Sequence, residues 1–346
     1  MIVTSAPGKL YIAGEYAVIE PGHPAILVAV DRFITVSLEE AIVKGSISSF
    51  HSRRINWTRK NDKIVPERDD RISYIISAIN IVETYAKELG KELAFFDLKV
   101  TSELENDKGI KYGLGSSAAV TVATIKALCN YYKITVSDNN VFKLASLSHL
   151  QINSNGSCGD VAASVYGGWI AYRTFDSSWV LEKFKYMSIS QLINIKWPSL
   201  SIEPLVPPKE LKLVIGWTGL PVSTEKLVDN VNENRSNNII LFKKFLDNSK
   251  KCVKKMITAF KENDIEEVQN QIRINREILL NMSNDLKIII ETPSLTKFCE
   301  ITLKYGGYGK SSGAGGGDCG IAIFKEDDDL TGLVVEFKRE GITYLP

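Results

Sequence analysis

Lys111-Tyr112-Gly113-Leu114-Gly115-Ser116-Ser117-Ala118-Ala119 is a glycine-rich turn that runs straight into a helical pattern. From Ser117 to Tyr132 the apolar residues Val120, Ala123, Ile125, Ala127 and Leu128 recur at helical spacing, which predicts a helix. Amides at a helix start have no partner within the helix, and the helix dipole adds positive potential there. A glycine turn in front lets backbone come close to an anion, so Gly113, Leu114, Gly115, Ser116, Ser117 and Ala118 are expected to cradle a nucleotide's phosphates. Capping of the helix by Ser116 or Ser117 alone is the structural alternative. A Walker A loop is excluded, because Gly-Lys-Ser/Thr does not follow the second glycine. The dinucleotide pattern Gly113-x-Gly115-x-x-Ala118 fits the spacing, with Asp138 twenty residues further on. Polar residues 103–111 stand where that motif needs a buried strand, so it is disfavoured.

Upstream, strands are expected at Ile2 to Ser5, Lys9 to Gly14, Ala25 to Val30, Ile34 to Glu39, Gly45 to Phe50 and Phe95 to Thr101, with one helix from Ile72 to Leu89. Downstream, a third helix is expected from Val141 to Gln151. Pro198, Pro204, Pro207 and Pro208 then crowd a short stretch that neither a helix nor a central strand tolerates. A domain boundary is expected there, giving residues 1–205 and 206–346. The second part predicts a strand at Leu211 to Trp217, helices at Asn238 to Lys261, Ile265 to Met282 and Pro293 to Tyr305, a strand at Gly320 to Phe324, a last helix, and Ile342 to Leu345. The fold class is α+β.

A second glycine-rich segment, residues 309–320, holds six glycines in twelve positions between apolar flanks. Flanks that enter a core argue against a linker and for close backbone approach. Two further motifs carry candidate chemistry. In Ala6-Pro-Gly-Lys-Leu-Tyr-Ile-Ala-Gly-Glu-Tyr-Ala-Val18, Pro7-Gly8 reads as a turn and Lys9 opens an apolar strand, where a charge needs a negative partner such as Glu15. In Asn155-Gly-Ser-Cys-Gly-Asp-Val-Ala-Ala-Ser-Val-Tyr-Gly-Gly168, Asp160 heads a short helix-like run as an N-cap or as a charge that orients a lysine or accepts a proton.

The whole chain limits the alternatives. Its 346 residues are 44% hydrophobic, enough for two cores. A net charge of +1 supplies no broad field for nucleic acid or anionic lipid, and the lysine pairs 243/244, 250/251 and 254/255 read as a solvated helix face. No stretch is apolar enough to span a bilayer, and the first residues lack a signal-peptide pattern, so a cytoplasmic location is expected. Five cysteines without C-x-x-C spacing suit a reducing compartment. Three scattered histidines give no zinc pattern, and a metal is expected only as Mg²⁺ arriving with a nucleotide.

Pro-Gly-Lys near the start, Gly-Leu-Gly-Ser-Ser before a helix, and Lys-Ser-Ser-Gly-Ala-Gly-Gly-Gly-Asp-Cys near the end resemble, in that order, the GHMP kinases. The resemblance covers nearly the whole chain. It implies a ribosomal-protein-S5-like N-terminal domain, a ferredoxin-like C-terminal domain, and ATP with Mg²⁺ between them. It assigns Lys9, Lys111 and Asp160 to catalysis, the 113–118 turn to the triphosphate and Ser117 to the metal. It places Lys9, Tyr16, Ser157, Ser223, Ser312, Gly313, Ala314 and Gly315 around the acceptor. The extended motifs, including Gly216-Trp-Thr-Gly219, are nearest those of members that phosphorylate phosphomevalonate in isoprenoid synthesis. Mevalonate or another small alcohol is the alternative acceptor, and a non-catalytic nucleotide sensor the more distant one. One departure bears on this. Mevalonate kinase has a magnesium-binding glutamate eleven residues before its catalytic aspartate, and the equivalent position here is His149. Monomer and homodimer are both open.

Overall fold

The computed structural model describes residues 1–49, 52–68, 72–219, 227, 231, 234 and 238–346, with the side chains of 52 and 53 left out. Ser223 lies outside the described residues.

β1 (Ile2–Ala13) and β2 (Pro24–Ala41) form an antiparallel pair at the centre of the first sheet. β1 is one strand where the sequence suggests two, because Pro7-Gly8 makes a register shift rather than a turn. Proline has no N–H for the ladder, so a bulge is where a strand accepts it. The displaced Lys9 N–H bonds instead to Leu114 O at 2.8 Å, which ties the bulge to the 113–118 turn. β3 (Gly45–Ser49), β4 (Ser52–Lys60), β5 (Lys63–Pro66) and β6 (Phe95–Ser102) extend one side, while β7 (Trp169–Arg173) and β8 (Ser201–Leu205) extend the other. The β4–β5 hairpin was not expected; its polar residues carry little strand signal, and Trp57 supplies its fully buried anchor.

Four helices gather beside this sheet: α1 (Ser73–Glu88), α2 (Ser116–Tyr131), α3 (Asp138–Ile152) and α4 (Gly159–Tyr166). α2 and α4 pack directly on β1, so both present their N-termini close to the Lys9 bulge. α5 (Ser177–Phe184) and α6 (Ile189–Asn194) follow β7.

The second sheet begins with β9 (Leu211–Trp217). After it come α7 (Ile239–Glu262), α8 (Ile265–Leu286), α9 (Pro293–Lys304), β10 (Tyr308–Ser311), β11 (Cys319–Lys325), α10 (Thr331–Arg339) and β12 (Thr343–Leu345). The order β10-β11-β9-β12, all antiparallel, is the β-α-β-β-α-β arrangement of a ferredoxin-like sheet, with α7 and α8 as additional helices. Residues 309–311 belong to β10, so the glycine-rich segment is shorter than its composition suggests and acts as the β10–β11 connection. The largest buried apolar cluster is continuous across both sheets and includes Val253, Met256, Phe260 and Ile321 beside Leu27 and Ile170.

Candidate active site

A cavity of about 410 Å³ lies where the two glycine-rich segments face each other. Lys9, Lys111, Gly113, Gly115, Ser116, Ser117, Ser157 and Asp160 line it from the N-terminal half, with Ser312, Gly313 and Ala314 opposite. Tyr16 lies at the same wall and donates its hydroxyl to Ala314 O at 2.5 Å.

The two glycines of the turn have separate reasons to be glycine. Gly113 has φ +78°, and a Cβ there would stand 2.5 Å from the Asp318 carboxyl carbon. The absent side chain therefore lets the C-terminal connection close on the turn. Gly115 has φ +77°, and its Cβ would meet Lys9 Cε at 2.9 Å, so the lysine stem lies across the bare backbone. As the N-cap of α2, Gly115 supplies no side-chain acceptor, which leaves the first-turn amides without a side-chain cap beside the cavity. Cys319 adds another tie between the segments, its Sγ 3.1 Å from Tyr112 O; burial pushes its thiol up to about 12, so it stays neutral.

Lys9 Nζ sits 5.5 Å from the Tyr11 ring centroid. The structural alternative for Lys9, an ion pair with Glu15 or another carboxylate, is not formed: Glu15 pairs with Lys310, both almost completely buried, and among the described residues no ion pair reaches Lys9. Lys310 Nζ also donates to Ser311 O at 2.6 Å. Asp160 is in the first turn of α4 but is not its N-cap; that position is Cys158, left-handed at φ 54°. The left-handed residue reverses the chain between Ser157 and Asp160, and both line the cavity. Tyr172 and Thr174 of the β7 region hold Ser157 O from behind, at 2.6 and 2.9 Å. The Tyr11 hydroxyl is 3.1 Å from Ser157 Oγ, and burial, then the Asp160 charge, raises its pKa well above a free phenol's. Ser312 Oγ accepts from Tyr11 N–H and donates to Tyr11 O, both at 2.9 Å, so its one proton is committed to β1.

Three expected site residues do not line the cavity. Leu114 buries its side chain and contributes its carbonyl to Lys9, Ala118 is in the core beneath α2, and Gly315 packs onto Ile290 O. His149, which stands where mevalonate kinase has a magnesium-binding glutamate, also lines the cavity, as do Tyr11, Glu15, Tyr74, Asn153 and Asn155, which were not singled out from sequence as lining residues. Trp57 is an ordinary packed tryptophan, wedged against Phe95 and Phe96 in the first sheet.

Oxygen donors suit Mg²⁺, which takes few protein ligands when phosphates and water complete its shell. Ser117 offers such an oxygen at the cavity wall, and no group of three or more His, Cys, Asp or Glu converges into a metal cage among the described residues.

Two opposed glycine segments, lysines and an uncapped helix start meet at one cleft in an α+β fold, and the chain belongs to the GHMP kinases. The model "GHMP kinases N terminal domain" matches residues 73–168 and "GHMP kinases C terminal" residues 256–342. Over its full length the chain is 36% identical to phosphomevalonate kinase of Streptomyces sp. (strain CL190), covering 96% of that protein. Among solved structures it is similar to the Lin0012 protein of Listeria innocua, with TM-score 0.95 and 41% identity over 100% of this chain and 96% of that one. It is also similar to Streptococcus pneumoniae phosphomevalonate kinase in complex with phosphomevalonate and AMPPNP, with TM-score 0.87 and 29% identity over 100% and 99% of the two chains.

Proposed function

We infer that this protein transfers the γ-phosphoryl group of ATP to the phosphate of phosphomevalonate, giving diphosphomevalonate and ADP. The observation that carries this reading is the convergence of Lys9, Lys111 and the uncapped start of α2 on one cavity, with Ser157 and Asp160 on the same wall. Two polyanions must meet during such a transfer, and cations with free amides reduce their repulsion. The named relatives support phosphomevalonate as acceptor. An ATP domain at 1–205 and a second domain at 206–346 accord with a first sheet ending at Leu205 and a second starting at Leu211; the cytoplasm is the location this reading expects.

A phosphate monoester, with a second pKa of about 6, is largely dianionic at neutral pH and attacks without first losing a proton. An acceptor oxygen forms the new bond to the γ-phosphorus while the bond to the β-phosphate oxygen breaks. Lys9, laid over Gly115, stabilises the charge on the moving group, and Lys111 holds phosphate at the mouth. Asp160 orders this wall through charge rather than by taking a proton. Ser117 would hold a Mg²⁺ ion arriving with the nucleotide, and that ion would supply further charge neutralisation. Ser157 and the 312–314 backbone hold the acceptor. The test is ADP release from Mg-ATP with phosphomevalonate, mevalonate, homoserine and galactose offered in turn. Release is expected with phosphomevalonate; release with mevalonate alone would move the protein to the alcohol kinases, and release with none would favour a sensor.

A further inference from the structure

His149 is 5% exposed and lines the cavity, yet among the described residues neither of its ring nitrogens has a hydrogen-bond partner. Buried polar groups are normally paired, and an imidazole in either neutral tautomer carries one N–H donor that costs free energy when left unmet. The ring is held firmly. It sits in the last turn of α3, and its centroid is 4.9 Å from that of Tyr74 at 43°. Nδ1 is 3.7 Å from where a Cβ on Gly156 would stand, beside the loop that carries Ser157. His149 therefore lies beside Gly156 and lines the cavity it shares with Ser157, Lys9 and Ser117.

We propose that His149 is a phosphate-positioning residue, donating an imidazole N–H to a phosphate oxygen of a substrate held between Ser117 and Ser157. This rests on the reading of the cavity as a kinase site with a phosphate acceptor. Positive potential is concentrated on one wall, where Lys9, Lys111 and the α2 start face the same space; of the three carboxylates that also line it, Glu15 is matched by Lys310, while Asp160 and Asp318 set negative charge against those cations. A hydrogen bond to a charged oxygen implies a loss of roughly ten- to a hundredfold when the donor is removed. The phosphate is that of the nucleotide or that of the acceptor, and the two are separable by experiment.

The wild type, His149→Leu, His149→Gln and His149→Asn are compared in the ligand-free melting temperature, in its rise with AMPPNP alone and with phosphomevalonate alone, and in kcat and both KM values. Leucine removes an unpaired polar group, so His149→Leu is expected to melt no lower than the wild type without ligand. It loses ten- to a hundredfold in kcat/KM and most of one ligand's thermal shift, and the ligand affected identifies the phosphate. At least one amide variant, keeping an N–H, recovers to within about threefold of the wild type. The proposal is overturned if His149→Leu keeps its activity and both shifts within twofold, if neither amide recovers, or if His149→Leu melts well below the wild type without ligand. A wild type that does not phosphorylate phosphomevalonate would sink the functional reading alone, since the AMPPNP shift still judges His149.

Discussion

Lys9 owes its place to two residues distant from it in sequence: Leu114, whose carbonyl takes its N–H, and Gly115, whose missing Cβ leaves room for its stem. Its ammonium is not drawn into an ion pair among the described residues, so its charge remains available to a bound phosphate. Lys9→Met keeps the stem and removes the charge. It is expected to lower kcat on the order of 10²-fold with an unchanged melting temperature, the scale of losing one transition-state charge stabiliser. An unaltered kcat would remove Lys9 from the chemistry. Asp160 provides the contrast. If the acceptor is a phosphate, no proton need be abstracted, and Asp160→Asn should be milder than Lys9→Met. Loss of the acidic limb in the pH profile of kcat, where a general base would become protonated, together with a steep fall in rate, would return Asp160 to general-base work.

The end of β1 and the β10–β11 connection are stitched together by Ser312 on the Tyr11 backbone, Tyr16 on Ala314, and the buried pair of Lys310 with Glu15. Removing one partner of a buried pair leaves an uncompensated charge and costs about 3–5 kcal/mol. Lys310→Met should therefore destabilise by that amount in urea unfolding, whereas Lys310→Met combined with Glu15→Leu should recover much of the loss, since an apolar pair of similar volume is well tolerated. A double variant no more stable than the single one would mean that the pair contributes through something other than its charges. This stitching also marks what the sequence could reveal. The glycine turn before α2, the final glycine connection and the helices from α7 to α9 are local patterns, and each is legible within a dozen or two residues. Glu15 and Lys310 are 295 positions apart, and no local pattern pairs them; Lys9 was the nearer and wrong candidate. Pro7-Gly8 carries a turn signal that the β2 partner strand overrides, and β10 is hidden because Gly309-Lys310-Ser311 has the composition of a loop. The unmet nitrogens of His149 are a property of burial, which becomes visible only when α1 and α3 are packed together.

Across the whole molecule, one face of the second sheet shares its interior with the first sheet, while its other face packs on α9 and α10 as a cluster of its own. Val253, Met256, Phe260, Ile265 and Ile272 of α7 and α8, with Cys319, Ile321 and Ile323 of β11, belong to the same buried cluster as the core of the first sheet. Ring contacts cross the junction at Trp169–Phe260, 5.3 Å, and at Tyr112–Trp217, 5.1 Å edge-on. Separating the halves would expose much of this apolar surface, at roughly 25 cal/mol per Å². Two consequences follow from that cost. A wide rigid-body opening of the cleft is disfavoured, so water exclusion during transfer falls to the segments around the cavity rather than to the domains. Unfolding should also couple the halves, although chains with two domains commonly melt in stages. The intact chain is expected to unfold in one cooperative transition, with tryptophan fluorescence, which includes Trp169 and Trp217 at the junction, coinciding with far-UV circular dichroism along a denaturant curve. Two separated transitions, with junction fluorescence changing before most of the helix is lost, would show that the shared cluster does not bind the halves into one unit and would reopen domain closure as the means of excluding water.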